Sequence, residues 1–174
     1  IDDRPAFGLA PGASPIENLL ADNVRQHAEI GAIAEVSPPA LAVTTEIAER
    51  LKSGIAALLI DYGHRDSAAG DTLQAVKNHK YAPILDNIGE VDLTAHVDFA
   101  AIGRAAAEAG AAPHGPITQR DFMLDLGALQ RRDALLARAT PAQATVIKTG
   151  VQRLIDPKEM GTLFKVMALT ASGD

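Results

Sequence analysis

The chain has 174 residues, enough for one domain with a sizeable buried core, and 47% of them are apolar, mostly Ala, Leu, Ile and Val. Only 3% are aromatic and the formal net charge is −6 with no basic block, which argues against base stacking and against a surface that tracks phosphates. The absence of cysteine removes disulfides, thiolate nucleophiles and cysteine metal ligands together, and no apolar run approaches the ~20 residues that span a bilayer.

The opening stretch "IDDRPAFGLAPG" has no initiator Met, no signal-peptide shape and no helix start. It reads as the interior of a longer polypeptide, with an edge strand over Arg4–Leu9. "GLAPG" (Gly8–Gly12) lacks both G-x-G-x-x-G and the Walker Lys, so it offers no nucleotide loop. "AIAEV" (Ala32–Val36) predicts a short strand. Ser37 then stands as N-cap with Pro38 at the first helical position. Leu41, Ile47, Ala48 and Leu51 share one helical face, and Gly54 is placed to end that helix. "IAALLI" (Ile55–Ile60) shows no alternation, which predicts a strand buried on both faces. Strand, helix and strand over this span form a βαβ unit and call for a mostly parallel α/β sheet.

The apolar run ends abruptly in Asp61, Tyr62 and Gly63, and a polar loop follows. In parallel sheets ligands bind outside the carboxyl ends of the strands, so this tip is a candidate site. The plainer alternative is a strand-end turn in which Asp61 caps neighbouring amides. "HRD" (His64–Asp66) continues into "SAAGD" rather than the kinase catalytic loop, and no "VAIK"-like segment exists. A second cluster, Asp92, His96 and Asp98 in "DLTAHVDF", can converge on a cation. Each also has a structural alternative: turn former, hydrogen-bonded imidazole, N-cap. His64 and His79 read as solvated loop residues, His27 and His114 as structural.

Asp98 can cap a helix carrying Phe99, Ile102, Gly103 and Ala106, stopped by Gly110. "GPITQ" (Gly115–Gln119) reads as extended. Thr118 and Asp121 have capping-box spacing before a helix that buries Phe122, Met123 and Leu126 and is broken at Gly127. Another helix runs through Leu135 and Leu136, and a third begins at Thr140–Pro141 with Ile147, Val151, Leu154 and Ile155 on one side. "TLFKVMAL" (Thr162–Leu169) closes as a strand, a candidate for one antiparallel member of the sheet. His64, Asp66, His79, Asp92, His96 and Asp98 are also the residue types of a hydrolytic metal centre, although their spacing matches no tight ligand motif.

Four blocks carry a resemblance: "IDYGH…GDTLQAVKNH", "DLTAHVDFAAIGRAA", "HGPITQRDFMLDLG" and "MGTLFKVMAL". In that order, over about Gly31–Leu169, they closely resemble the MidA-like S-adenosylmethionine-dependent methyltransferases. That family includes the mitochondrial complex I assembly factor that methylates an arginine on a core subunit. The resemblance implies a class I methyltransferase α/β sheet with helical insertions. It also implies that residues 1–174 are the C-terminal part of that one domain, its cofactor-binding N-terminal half being absent. Two departures stand out. The "E-x-G-x-G" turn that opens the family's cofactor site has no counterpart here, and Ala82 precedes Pro83 where relatives carry Asp-Pro.

The implied function is the substrate-side portion of a protein-arginine methyltransferase, with S-adenosylmethionine bound mainly by the missing half. Its partner is a protein presenting an arginine, with no nucleic acid and no membrane span. The segment alone is expected to be inactive. An arginine is permanently charged, so its site needs carboxylates that pair with the planar fork. Within that reading Asp61, Asp92 and Asp98 are the acid partners, Tyr62 walls the slot, and His96 accepts or orients the proton. A metal-dependent hydrolase and a non-catalytic partner-binding module are the alternatives. The expected location is the cytoplasm of a bacterium or the matrix of a mitochondrion.

Overall fold

A computed structural model describes residues 5–51, 54–86 and 88–172. The regular elements are helices α1 (Asp22–His27) and α2 (Pro38–Leu51), strands β1 (Ala56–His64), β2 (Gln74–Lys77), β3 (Lys80–Ala82), β4 (Asp92–Thr94) and β5 (Val97–Asp98), then helix α3 (Phe99–Glu108). They continue with β6 (Ala111–Thr118), α4 (Gln119–Asp125), α5 (Ala128–Leu136), α6 (Pro141–Ile155), α7 (Met160–Leu163) and β7 (Phe164–Ala171). The contacts divide the chain into two units, Ile1–Pro39 with Ser67–His96, and Ala40–Asp66 with Val97–Asp174.

The second unit holds a four-stranded sheet in the order β5-β1-β7-β6. β5 runs parallel to β1, while β7 is antiparallel to both β1 and β6. The expected α/β class and the reversed final strand are present, and three of the four strands run one way. Because β7 is inserted between β1 and β6, however, the two long ladders are antiparallel.

Its core joins Ala48 and Leu51 of α2, Phe99, Ile102 and Ala106 of α3, and Met167 and Leu169 of β7, with Ala57 and Leu59 packed against them. Full burial of the larger ones, Leu51, Phe99, Ile102, Met167 and Leu169, is worth about 1.5–3 kcal/mol each. Asp98 caps α3 by accepting the Ala101 N–H at 2.9 Å, and Thr140 with Gln143 forms a reciprocal capping box on α6. Thr118 accepts the Asp121 N–H, as the spacing predicts. Gly54, at φ +83°, donates to the Leu51 carbonyl in the left-handed conformation that suits glycine after a helix.

Several expectations need correction. β1 is not buried on both faces: Leu58 is 52% and Ile60 47% exposed, because α2 and α3 cover only the side of Ala57 and Leu59. Leu126 is 69% exposed, since α4 ends before it, and the buried residue of that helix is Gln119, whose amide donates to the Leu154 carbonyl. Thr162 and Leu163 belong to α7, so the closing strand starts at Phe164.

The first unit holds the rest. Ala32–Val36 forms no strand, so the βαβ reading loses its first member. Its backbone is tied down instead by the Gly70 N–H on the Ile33 carbonyl and by the Glu35 carboxylate, which accepts the amides of Thr72 and Leu73 at 3.0 and 2.8 Å and the Thr72 hydroxyl. Pro5–Leu9 is irregular and exposed, and Arg4 lies outside the described residues. The loop expected after β1 folds into a three-stranded antiparallel sheet, β3-β2-β4. Its β2–β3 hairpin turns at Asn78 and His79, both at positive φ (52° and 61°), the backbone that a two-residue turn requires.

Candidate functional site at the carboxyl end of strand β1

The carboxyl end of β1 is gripped along both edges. On one side β5 passes so close that a Cβ on Gly63 would stand 2.1 Å from the Val97 carbonyl oxygen. On the other, the Phe164 ring meets Tyr62 edge-on, with centroids 5.5 Å apart and planes at 76°. The neighbouring Lys165 ammonium donates to the carbonyls of Gly63 (3.0 Å), Leu163 (3.2 Å) and Thr162. Arg65 just beyond the strand donates to the Pro116 carbonyl at 3.1 Å, and His64 Nδ1 lies 2.8 Å from the Asp66 carbonyl. Burial, followed by the nearby Arg65 cation, pulls the Lys165 pKa below its ordinary value.

On this frame Asp61 is exposed, accepts the Tyr62 N–H at 2.8 Å, and makes no ion pair among the described residues. Lys165 faces it across the ladder yet spends its donors on carbonyls. The tip thus offers a carboxylate and a half-buried phenol to solvent. Asp98 belongs to the same unit, pairs with His64 in the β1–β5 ladder, and commits one oxygen to capping α3.

Asp92 and His96 belong to the other unit. Asp92 is exposed on β4 opposite Val76. His96 is half-buried, and its backbone N–H donates at 2.9 Å to the Thr72 hydroxyl, itself a donor to Glu35. The five expected residues therefore divide three and two between the units. His27 and His114 have structural partners, Asn23 O at 3.0 Å within its own helical turn and Thr170 Oγ1 at 2.9 Å across the β6–β7 ladder. Among the described residues no three His, Asp or Glu side chains cluster as metal ligands would, so the hydrolase alternative gains no geometric support.

Sequence reasoning missed Lys165 and Glu35. A lysine inside the apolar strand "LFKVMAL" was the available signal for the first. Glu35, read as part of a short strand, left no signal of its own.

The same geometry bears on S-adenosylmethionine. A class I cradle needs a glycine-rich turn between a strand end and a helix N-terminus. The described strand-to-helix junctions, Asp98–Phe99 and Thr118–Gln119, contain no glycine. The residues present do not fit the cofactor's cradle.

The family model described as "Putative S-adenosyl-L-methionine-dependent methyltransferase" matches residues 2–117. Among curated proteins, the rat "Protein arginine methyltransferase NDUFAF7, mitochondrial" is 37% identical over 170 residues, 96% of this chain and 37% of that protein. The human protein is 36% identical over 97% of this chain, and the Drosophila homolog 40% identical over 71% of it. The chain thus spans 37% of the length of its rat and human relatives. A Burkholderia thailandensis protein crystallised with S-adenosyl-homocysteine superposes with a TM-score of 0.65 at 30% identity, covering 79% of this chain and 38% of that one. With the matched model, the level of identity and the shared fold in agreement, the chain belongs to this S-adenosyl-L-methionine-dependent methyltransferase family.

Proposed function

We propose that these residues form the substrate-side portion of an S-adenosylmethionine-dependent protein-arginine methyltransferase, with the cofactor held mainly by polypeptide outside them. The observation that carries this reading is the 37% identity to a named protein arginine methyltransferase across 96% of the chain. The missing glycine cradle and the exposed Leu58–Ile60 face of β1 are consistent with a fold completed elsewhere.

At the β1 tip, Asp61 pairs with the guanidinium of an incoming arginine and Tyr62 walls its plane. Holding one nitrogen in line is most of the work in such a transfer, and a carboxylate on a clamped strand end is suited to it. Asp98, of the same unit, keeps one oxygen for substrate beside its capping bond; for Asp92 and His96, of the other unit, the roles of acid partner and of proton acceptor or orienter rest on the resemblance of the block "DLTAHVDF" alone. The substrate class is a protein, by the resemblance a subunit of respiratory complex I. The relatives carry mitochondrial names, so a eukaryotic host implies the matrix and a bacterial one the cytoplasm.

The test is to incubate the full-length polypeptide with S-adenosylmethionine and an arginine-bearing protein substrate, and to map methylation by mass spectrometry. Methylarginine that requires the cofactor is the expected result; methylation of lysine or of a small molecule alone would replace the reading. A partner-binding module without catalysis would show no cofactor binding in calorimetry at all.

A further inference from the structure

Helices α5 and α6 pack against each other and leave an open cleft of about 530 Å³ between them. Its walls are Leu135, Ala139, Ala142, Val146 and Ile147, and its only polar lining residues are Arg138 and Gln143. Val146 stands 70% exposed in mid-helix and Leu135 39% exposed. The capping box at Thr140 fixes the turn between the helices, so the cleft is built into the hairpin.

The charge around it runs against the rest of the chain. Between Ala128 and Ile155 stand Arg131, Arg132, Arg138, Lys148 and Arg153 against the single acid Asp133, in a chain whose net charge is −6. Asp133 is engaged by Arg132 at 2.8 Å. Arg131, Arg138 and Arg153, which the helical period puts on the cleft-lining faces of α5 and α6, are exposed and make no ion pair among the described residues, whereas Lys148 falls on the opposite face of α6. An apolar slot in a locally basic surface is therefore presented to solvent with its counter-charges unsupplied.

We propose that this cleft is the docking groove for an acidic amphipathic helix of a partner protein. A slot between two helices takes the side chains that a third helix presents at i, i+3 or i+4 and i+7. The cations call for Asp or Glu flanking that stripe, which supplies the electrostatic complementarity that selects a partner. A flat anionic bilayer cannot fill a cleft. A nucleic acid would find no aromatic side chain on which to stack anywhere between Ala128 and Ile155. The inference stands on the hairpin alone, and its readout requires neither cofactor nor methyl transfer. Its failure would leave the methyltransferase reading untouched.

The probe is a fluorescein-labelled helical peptide with Leu at i, i+4, i+7 and i+11 and Glu beside them, titrated into the full-length protein and followed by anisotropy. Two control peptides replace every Glu by Lys or every Leu by Ser. The acidic peptide should bind with a Kd on the order of 10 µM, and the control peptides at least about tenfold more weakly. Val146→Glu, at an exposed position that should not disturb folding, should weaken the acidic peptide by at least about tenfold. The double variant Arg131→Glu/Arg138→Glu should lose the acidic peptide and gain the Lys-flanked one, an exchange that a misfolded variant cannot produce.

The chain has no cysteine, so Val146→Cys adds a handle that should react with a maleimide dye in the native protein and be shielded by the acidic peptide. Four results would overturn the proposal: equal affinity for acidic and basic peptides, no binding of the acidic peptide, binding only to phosphatidylglycerol vesicles, or a Val146→Cys thiol already inaccessible because the protein's own chain or a second copy covers it.

Discussion

Gly63→Ala tests the clamp on the β1 tip. The new methyl carbon would sit 2.1 Å from the Val97 carbonyl oxygen and 2.9 Å from the Val97 nitrogen and carbonyl carbon. A carbon approaches a carbonyl oxygen comfortably at roughly 3.3 Å, so β5 must retreat by about 1.2 Å. Every atom in the way is backbone, so no rotamer change relieves the overlap. Moving β5 breaks the Gly63–Val97 and His64–Asp98 register and drags the carboxylate that caps α3. Overpacking costs about 1–3 kcal/mol, a lost ladder hydrogen bond about 1 kcal/mol, and a disturbed cap about 1 kcal/mol. The sum is about 3–5 kcal/mol, a large share of a domain's usual 5–15 kcal/mol.

Urea denaturation followed by circular dichroism reads the global loss. Hydrogen exchange at the amides of residues 97–101 locates it. The expected result is a lower midpoint with an unchanged slope and early loss of protection in that segment. A variant with wild-type midpoint and wild-type protection there would refute the packing argument.

Other perturbations probe the remaining supports. Lys165→Met removes an ammonium shared among three carbonyls and should cost about 1.5–3 kcal/mol in the same denaturation assay; since the folded-state pKa of Lys165 is lowered, wild-type stability should also rise with pH between the folded and unfolded values, a rise the variant should lack. Glu35→Ala leaves the Thr72 and Leu73 amides without their acceptor and should cost about 1–3 kcal/mol, with exchange at residues 72, 73 and 96 accelerating while residues 164–171 stay protected. The Asp156 pKa is lowered, first by the Lys158 N–H and then by the Gln152 amide, so its contribution to stability is present above the ordinary carboxylate value and is lost as pH falls through the depressed one. Asp156→Asn should therefore be less stable than wild type near neutrality and flatten the acid limb of an unfolding titration; an unchanged limb would refute the assignment. Thr140→Ala should destabilise α6 by about 1 kcal/mol, read as a lower melting temperature.

Much of the second unit was legible in the sequence because its signals are local. Asp98, Thr118 and Thr140 mark helix starts through side chains that accept an amide three residues on, Ser37–Pro38 marks the start of α2, whose residues from Ala40 belong to this unit, and all four helices begin where those residues stand. The reversed last strand was legible from its run of apolar residues, but its place between β1 and β6 is a long-range choice that no local pattern encodes. "IAALLI" misled because a continuous apolar run reports the hydrophobicity of a strand, not which of its faces these residues cover. The small sheet of the first unit escaped because its strands have three or four residues each and mix Gln, Lys, Asp and Thr with the apolar positions, too short for a period to register. Glu35 escaped for a related reason: its partners, Thr72 and Leu73, lie some 37 residues away and become neighbours only in the fold.

The candidate site was legible as a place and less so as a set of groups. An apolar strand ending in Asp-Tyr-Gly locates a strand tip from sequence alone, and the structure adds the Lys165 and Phe164 supports. Asp98 shows the opposite case, a carboxylate whose spacing to Ala101 fits an N-cap as readily as a ligand, and one of its oxygens is used as the cap.

The most direct measurement is steady-state arginine methylation by the full-length enzyme carrying Asp61→Asn, alongside calorimetric titration with S-adenosylmethionine. Asp61 is exposed and bonds only its own neighbour's amide among the described residues, so folding should be unaffected. Loss of a charged partner for the guanidinium should cost about 2–4 kcal/mol in kcat/KM, roughly 30- to 1,000-fold, with cofactor affinity unchanged within about threefold. Wild-type turnover in that variant, or a parallel loss of cofactor binding, would contradict the assignment of the β1 tip to the substrate.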